Sequence, residues 1–284
     1  MPPEQTAPTF DLQSHSTHSD GSLAPAEVVA RAAAAGVELL ALSDHDTVAG
    51  VPEALEAANA HGIALTPAVE LSSVHGDHED LHILGYALDH TDARLLATLE
   101  DFRADRSRRI LAMADRLREL GFALDDAPLR RPAPGRPHLA DALLAHPANA
   151  ERLRAEGIGG RDELFPAYLV PGAPGYVGRT RPTVPDAIAV IHAAGGLAVW
   201  AHPYWDVDEA GATLAEFAGH GIDGVEAFYV THTAEQTRHL HGWAREHGLI
   251  TTGSTDFHGP ENERFNRFRG FSLYGLEPDL GPLR

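Results

Sequence analysis

Short apolar segments alternate with helical segments in two stretches of the chain, and the connections between them are only a few residues long. Residues 37–43 (VELLALS) and 197–203 (LAVWAHP) are typical of buried strands, because each is a brief apolar run. Helical patterns precede both strands, at residues 24–35 and 183–196. Alternation of this kind predicts a parallel sheet or barrel, because each helix returns the chain to the edge where the next strand begins.

The middle of the chain has a different pattern. Residues 92–121 form a long Arg- and Leu-rich helical pattern, and residues 122–180 are rich in Pro, Gly and Arg. Shorter helical segments are predicted at about 137–146, 149–156 and 161–169. We therefore predict an α/β barrel formed by residues 9–91 and 181–284, with a helical module inserted at residues 92–180.

The amino-acid composition limits which metal ligands, which reactions and which binding partners are possible. The 284 residues include no Cys, so any metal must be held by imidazole and carboxylate groups, which suit Mn, Fe, Zn or Mg. A formal net charge of −19 argues against a surface that binds duplex nucleic acid. All 22 basic residues are Arg, so no Lys is available for Schiff-base chemistry. Because no apolar run reaches about 18 residues and no signal peptide is evident, we expect a cytoplasmic protein that does not cross a membrane.

Eight His and carboxylate residues fall at or near predicted strand ends, on the side where α/β barrels place their active sites. The chain contains 18 His, so position rather than number distinguishes them. One His after a strand is usually a surface or core residue, but eight candidates with the same placement are hard to obtain by chance. Their convergence predicts a site for several metal ions. The eight are His15, Asp20, His45, Glu70, His82, His202, Asp256 and His258.

The segments that carry these residues resemble those of the PHP (polymerase and histidinol phosphatase) domain family. The resemblance rests on DLQSHSTHSDG, LSDHDT, AVELS, HILGY, AHP and STDFHG, and it extends to RPH at 136–138 and to GIDGVEAFY. It implies a distorted (β/α)7 barrel, here with an inserted helical module. The length and the insertion look most like the stand-alone bacterial phosphoesterases that act on nucleoside 3′,5′-bisphosphates and on the 5′ ends of short oligonucleotides.

The resemblance also implies ligands for two or three divalent metal ions, whose identity among Mn, Fe, Zn and Mg stays open. One metal would be bound by His15, Glu70 and Asp256. Glu70 would bridge to a second metal bound by His82 and His202, and a third would be bound by Asp20, His45 and His258. A metal pair bridged in this way, about 3.5–4 Å apart, activates water and holds phosphate oxygens. Catalytic roles are implied for His15, Asp20, His45, Glu70, Asp256 and His258.

One residue departs from the family pattern. The family usually opens with Asp-x-His-x-His, and Gln13 stands in place of the first His. A Gln carbonyl oxygen can coordinate a hard cation but is a poor ligand for Zn or Fe, so the metal of His15, Glu70 and Asp256 would be weaker, harder or absent. Alternatively, Gln13 faces the metal through a water molecule and changes little.

Residues that would contact the substrate are fewer. Arg136 and His138 in GRPH resemble the phosphate-binding pair of the family, and the planar Arg fork matches a phosphate well. The alternative is a helix start that carries a solvated Arg. Arg179 is a candidate for a second phosphate. Asp44 in SDHD would either orient a ligand His or cap the turn.

The function predicted from this set is hydrolysis of a phosphomonoester by a metal-activated hydroxide. The expected substrate is a nucleoside 3′,5′-bisphosphate cleaved at its 3′-phosphate, with AMP as a product, or the 5′ end of a short oligonucleotide. Two alternatives stay open. One is a phosphatase of the histidinol-phosphate type, and the other is a nucleotide- or metal-binding protein whose catalysis is impaired by Gln13.

Overall fold

The computed structural model describes residues 7–130, 134–179, 181–205, 207 and 209–283. Seven strands belong to one sheet: β1 Phe10–Asp11, β2 Leu39–Leu42, β3 Ala64–His75, β4 His78–Tyr86, β5 Leu197–Trp200, β6 Gly224–Tyr229 and β7 Ile250–Ser254. The helices are α1 Pro25–Ala34, α2 Val51–His61, α3 Ala93–Glu119, α4 Arg136–Ala145, α5 Ala150–Ala155, α6 Arg161–Leu164, α7 Val184–Ala193, α8 Ala210–Gly219 and α9 Ala234–His247. None of the described helices combines the length and the hydropathy that a membrane span requires.

The sheet is nearly closed into a barrel. Its strands are paired in chain order from β1 to β7, and all neighbours are parallel except those of β4. The two ends of the sheet meet where the Leu12 amide donates a hydrogen bond to the Gly253 carbonyl (3.1 Å) and Ser14 bridges to Phe257. The predicted fold class, an α/β barrel of distorted (β/α)7 type, is confirmed.

Strand β4 departs from the parallel sheet that the alternation of strands and helices predicted. Strands β3 and β4 form an antiparallel hairpin joined by Gly76 and Asp77, and Gly76 has a φ of 56°. A parallel pair needs a crossover of a dozen residues or more, which a two-residue turn cannot supply. Consequently Glu70 and His82 lie within their strands rather than at C-terminal ends, and His82 pairs with Ser72 across the hairpin.

Apolar helix faces cover the outside of the sheet near β2. Val28 and Val29 of α1 are buried, and they belong to one hydrophobic cluster with Ala54 of α2 and with Leu40 and Leu42 of β2. These side chains recur at helical spacing in α1 and at every second position in β2, so each element buries one face. This packing fixes the strand from which the SDHD loop departs.

Side-chain caps set the start of the helices that flank the later strands. Thr183 Oγ1 accepts a hydrogen bond from the Asp186 amide (3.2 Å), and Asp186 accepts one from the Thr183 amide (3.0 Å). Thr233 and Gln236 repeat this arrangement at the start of α9. Reciprocal caps of this kind satisfy amides that have no partner inside the helix. They explain why α7 and α9 begin where they do.

The chain divides into two compact units, Met1–Leu99 with Arg181–Arg284, and Glu100–Thr180. The second unit begins at Glu100, inside α3 and eight residues after the boundary predicted at residue 92. The second unit has a hydrophobic core of its own, in which Leu117 of α3 is grouped with Leu139 and Leu143 of α4 and with Leu164 of α6. The assignment of residues 92–180 to an inserted domain stays a prediction.

Candidate metal centre

The eight predicted ligands are carried by loops after β1, β2, β5 and β7 and by the hairpin of β3 and β4. His15 follows β1, His45 follows β2, and His202 follows β5. The parallel strands run in the same direction, so these loops leave the sheet at the same edge. The hairpin extends past that edge, and His45 is bridged to Glu70 on β3. Side chains from six strands therefore converge at one end of the barrel.

Glu70 lies at the middle of the cluster and is fully buried. Its Oε1 atom is 2.7 Å from His82 Nδ1 and 3.3 Å from His202 Nε2. Its Oε2 atom is 3.0 Å from His15 Nε2 and 3.4 Å from His45 Nδ1. Each carboxylate oxygen thus faces two imidazoles, which is the arrangement that a bridging ligand requires.

Asp20 carries a second carboxylate of the cluster, and imidazole groups surround it. Its Oδ1 is 3.3 Å from His258 Nε2 and 3.6 Å from His15 Nδ1, and its Oδ2 is 3.6 Å from His45 Nε2. Across the described residues, three groups have ligand atoms within 4.8 Å of one another. They are His15 with Asp20, His45 and His258; His45 with Glu70 and His82; and His15 with Glu70 and Asp256.

Three buried atoms of the cluster make no hydrogen bond to any described part of the chain: His15 Nε2, Glu70 Oε2 and Asp256 Oδ1. The His15 nitrogen is 3.0 Å from the Glu70 oxygen and 3.1 Å from the Asp256 oxygen. Buried polar atoms normally have a partner, because an unpaired one costs about 1–3 kcal/mol. A divalent cation bound by one imidazole and two carboxylates would supply that partner, so the residues present fit a metal site.

The electrostatics of the cluster agree with that fit. Burial favours the neutral form of Glu70, yet the imidazoles of His45 and His82 hold the pKa of its carboxyl well below the usual range. Burial also opposes charge on His15, but the carboxylates of Asp256 and Glu70 beside its Nε2 atom raise the pKa of its imidazole well above the ordinary value. The carboxylates are therefore ionised at neutral pH, which is the state that binds cations.

Gln13 is buried beside Glu70. Its amide nitrogen donates a hydrogen bond to Glu70 Oε1 (3.0 Å), and its carbonyl oxygen accepts one from Ser254 Oγ (3.3 Å). The orientation follows from chemistry, because an ionised carboxylate only accepts hydrogen bonds and must face the amide NH2 group. In this arrangement the carbonyl oxygen of Gln13 points to Ser254 rather than to Glu70. Its role as a metal ligand stays a prediction.

Asp44 organises the loop that carries His15 and Asp20. Its Oδ1 accepts hydrogen bonds from the Ser16 amide (2.7 Å) and from Ser19 Oγ (2.6 Å), and its Oδ2 accepts one from Ser16 Oγ (2.6 Å). Of the two roles considered from sequence, the structure favours support of the ligand residues. The support runs through Ser16 and Ser19, and Ser19 Oγ in turn lies 3.3 Å from His15 Nδ1.

Sequence reasoning assigned no role to two further buried groups that contact the ligands. Tyr229 donates a hydrogen bond to Asp256 Oδ2 (2.9 Å), and Glu226 Oε2 accepts one from the His202 amide (2.9 Å). Burial raises the pKa of Glu226 to about 8, and Ser254 Oγ donates a hydrogen bond to its Oε1 atom (2.5 Å). Both residues lie on β6, and the acidic residue inside the apolar segment GIDGVEAFY is the sequence signal that could have drawn attention to them.

The predicted phosphate-binding residues all lie in the unit Glu100–Thr180. Arg136 opens α4, donates a hydrogen bond to the Leu169 carbonyl (3.3 Å) and lies over the Phe165 ring. His138 Nδ1 accepts a hydrogen bond from the Gly135 amide (3.0 Å) and so caps the same helix. Arg179 is buried. Their contact with a substrate phosphate stays a prediction.

Comparison with known proteins gives relatives along most of the chain. It is 36% identical over 261 residues to a 5′-3′ exoribonuclease of Haemophilus influenzae, covering 88% of this chain and 90% of the relative. It is 35% identical over 260 residues to a 3′,5′-nucleoside bisphosphate phosphatase of Chromobacterium violaceum, covering 88% of this chain and 87% of that protein. Both names describe enzymes that cleave phosphoester bonds.

A solved structure shares the fold. An amidohydrolase from Chromobacterium violaceum, determined with bound sulfate and no metal, superposes with a TM-score of 0.80 at 32% identity. The match covers 97% of this chain and 93% of that one. The sequence pattern of the PHP domain matches residues 11–120, which include five of the eight residues of the cluster. The resemblance and the enzyme class predicted from sequence are confirmed: the chain belongs to the PHP domain family and is a metal-dependent phosphoesterase.

Proposed function

We propose that this enzyme hydrolyses a phosphoester bond of a nucleotide: the 3′-phosphomonoester of a nucleoside 3′,5′-bisphosphate, or the phosphodiester bond at the 5′ end of a short oligonucleotide. The observation that carries the proposal is the convergence of eight His and carboxylate side chains around Glu70, at one end of the barrel. The relatives supply the substrate class, because one is named for nucleoside bisphosphates and another for RNA.

The ligand atoms divide between two or three divalent ions of Mn, Fe, Zn or Mg. His15, Glu70 and Asp256 would hold one ion, Glu70 with His82 and His202 a second, and Asp20 with His45 and His258 a third. Bound ions of this kind lower the pKa of a coordinated water towards 7 and neutralise charge on phosphate oxygens. No covalent intermediate on the protein is needed.

The residues of the chain perform the remaining tasks. Glu70 stays ionised and central because four imidazoles face its two oxygens. Tyr229 holds Asp256 through its Oδ2 atom, which leaves Oδ1 directed at His15. Arg136, His138 and Arg179 would bind a phosphate that is not cleaved, and Arg136 offers the planar donor group that suits this contact.

The test is phosphate release from adenosine 3′,5′-bisphosphate by Mn-loaded protein, with a short 5′-phosphorylated RNA and histidinol phosphate assayed in parallel. We expect release of one phosphate per bisphosphate with AMP as the other product, or shortening of the RNA, and loss of both after treatment with a chelator. A matched control is His61→Ala, because His61 is an exposed residue at the end of α2. Turnover of histidinol phosphate alone would contradict the nucleotide assignment.

Gln13 gives a prediction about metal affinity. We expect Gln13→His to tighten binding of the ion held by His15, Glu70 and Asp256 by about tenfold or more, because an imidazole would supply a ligand where the amide now donates to Glu70. Competition with a fluorescent chelator measures the affinity, and elemental analysis measures the number of ions per chain. Unchanged affinity in Gln13→His, with the fold intact by circular dichroism, would contradict this reading of Gln13.

A further inference from the structure

An aromatic surface lies next to the metal cluster. Trp205 follows the ligand His202 by three residues and is 49% exposed, which is unusual among the large apolar side chains of the described residues. Its ring centroid is 6.1 Å from that of His202. On its other side Phe265 lies 5.7 Å away, and Phe265 is in turn 5.6 Å from the ring of the ligand His258. The two aromatic rings thus connect two ligands along the rim of the site.

The two rings are held in place. The indole nitrogen of Trp205 donates a hydrogen bond to Thr231 Oγ1 (3.1 Å), and the edge of the ring packs near Tyr229. The Phe265 amide donates to Asn262 Oδ1 (2.9 Å), and its carbonyl accepts from the His258 amide (2.9 Å). Because the polar atom of the indole already has a partner, the exposed part of Trp205 offers a π face rather than a hydrogen bond donor.

A fixed, exposed π face suits a flat aromatic ligand, since every nucleobase can stack on it whatever its hydrogen-bonding pattern. A phosphate alone or an aliphatic phosphoester would gain nothing from such a surface. The position beside His202 and His258 matters as well, because a base stacked here belongs to a molecule whose phosphate is within reach of the cluster.

We propose that Trp205, with Phe265 beside it, is the platform on which the nucleobase of the substrate stacks. This inference rests on the proposed function and adds to it the residues that select nucleosides over other phosphoesters. Sequence alone gave no indication of the platform, because Trp205 and Phe265 are 60 positions apart and only the fold brings them together.

The test compares a substrate that has a base with one that lacks it. Turnover of adenosine 3′,5′-bisphosphate and of the base-free ribose 3,5-bisphosphate is measured for wild type, Trp205→Ala, Trp205→Phe and Phe265→Ala. Stacking of one base is worth about 1–3 kcal/mol, so we expect kcat/KM of Trp205→Ala to fall about 5- to 150-fold for the adenosine substrate. The base-free substrate should change less than about twofold, and Trp205→Phe should recover part of the loss. The control is Trp243→Ala, on α9, where Trp243 stacks on His247.

Equal losses for both substrates would overturn the platform, because they would indicate a structural role of Trp205. A second readout separates this failure from failure of the proposed function. Binding of AMP and of ribose 5-phosphate is measured by calorimetry on the Mn-loaded protein without turnover. If Trp205→Ala weakens the binding of AMP but not that of ribose 5-phosphate, the result supports the platform even if the bisphosphate is not cleaved. Unchanged AMP binding contradicts the platform even if wild type hydrolyses the bisphosphate.

Discussion

Replacement of Glu70 by Gln is expected to lower metal-dependent phosphate release by more than about 100-fold. Even a mutation of a residue that only hydrogen-bonds to a metal ligand lowers metal affinity or activity about 10- to 100-fold, and Glu70 is proposed as a ligand itself. Glu70 contributes both carboxylate oxygens, and each lies within 3.4 Å of two imidazole nitrogens. A Gln side chain has the same shape but replaces one of these oxygens by an NH2 group. That group cannot coordinate a cation, so the bridge that we propose between two ions would be lost.

The Glu70→Gln variant is best measured by elemental analysis together with initial rates at saturating Mn. We expect fewer ions per chain, and recovery of activity should be incomplete at any Mn concentration. Glu216→Gln is a matched control, since Glu216 is exposed and its carboxylate pairs with His75 (3.1 Å) rather than with a residue of the cluster. A Glu70→Gln enzyme with full metal content and wild-type rates would show that Glu70 does not bridge metal ions.

Replacement of Asp44 by Ala is expected to lower the free energy of unfolding of the metal-free protein by about 3 kcal/mol or more. Asp44 is buried and accepts three hydrogen bonds from Ser16 and Ser19, and each buried donor left without a partner costs about 1–3 kcal/mol. The same loop carries His15 and Asp20, so we also expect metal affinity to fall about 10- to 100-fold.

The two effects of Asp44→Ala are separated by urea denaturation in the presence of a chelator and by chelator competition with Mn. Asp44→Asn should be intermediate in stability, because it keeps one of the two acceptor oxygens. Asp77→Ala is the control, since Asp77 is exposed in the turn between β3 and β4. A loss of stability without any change in metal affinity would limit Asp44 to the folding of its loop.

The barrel and its ligand cluster were largely accessible from sequence. Strands such as β2 and β5 are apolar runs between helices, and His45 and His202 follow them within three residues. Parallel strands that share one direction bring such residues to one edge, so listing them located the site. The error concerned β4, where a short turn that contains Gly76 reverses the chain. Periodicity alone does not distinguish a parallel strand from an antiparallel one.

The residues around the ligands could not be predicted in the same way. Tyr229 contacts Asp256 and Trp205 contacts Phe265 only because distant segments fold together, and no spacing in the sequence encodes these pairs. Gln13 shows the same limit. Its residue type suggested a weak ligand, but the donor that it directs at Glu70 depends on the positions of Glu70 and Ser254. Hydrogen-bond direction is a property of the packed site rather than of the sequence motif.

The most direct test of the metal centre is anomalous diffraction from crystals grown with Mn, recorded on both sides of the Mn absorption edge. We predict at least two anomalous peaks next to Glu70, each within about 2.0–2.5 Å of imidazole nitrogens and carboxylate oxygens of the cluster. We also predict that no comparable peak occupies the unit Glu100–Thr180. Protein that releases phosphate only when Mn is present, but whose crystals show no peak near Glu70, would contradict the account.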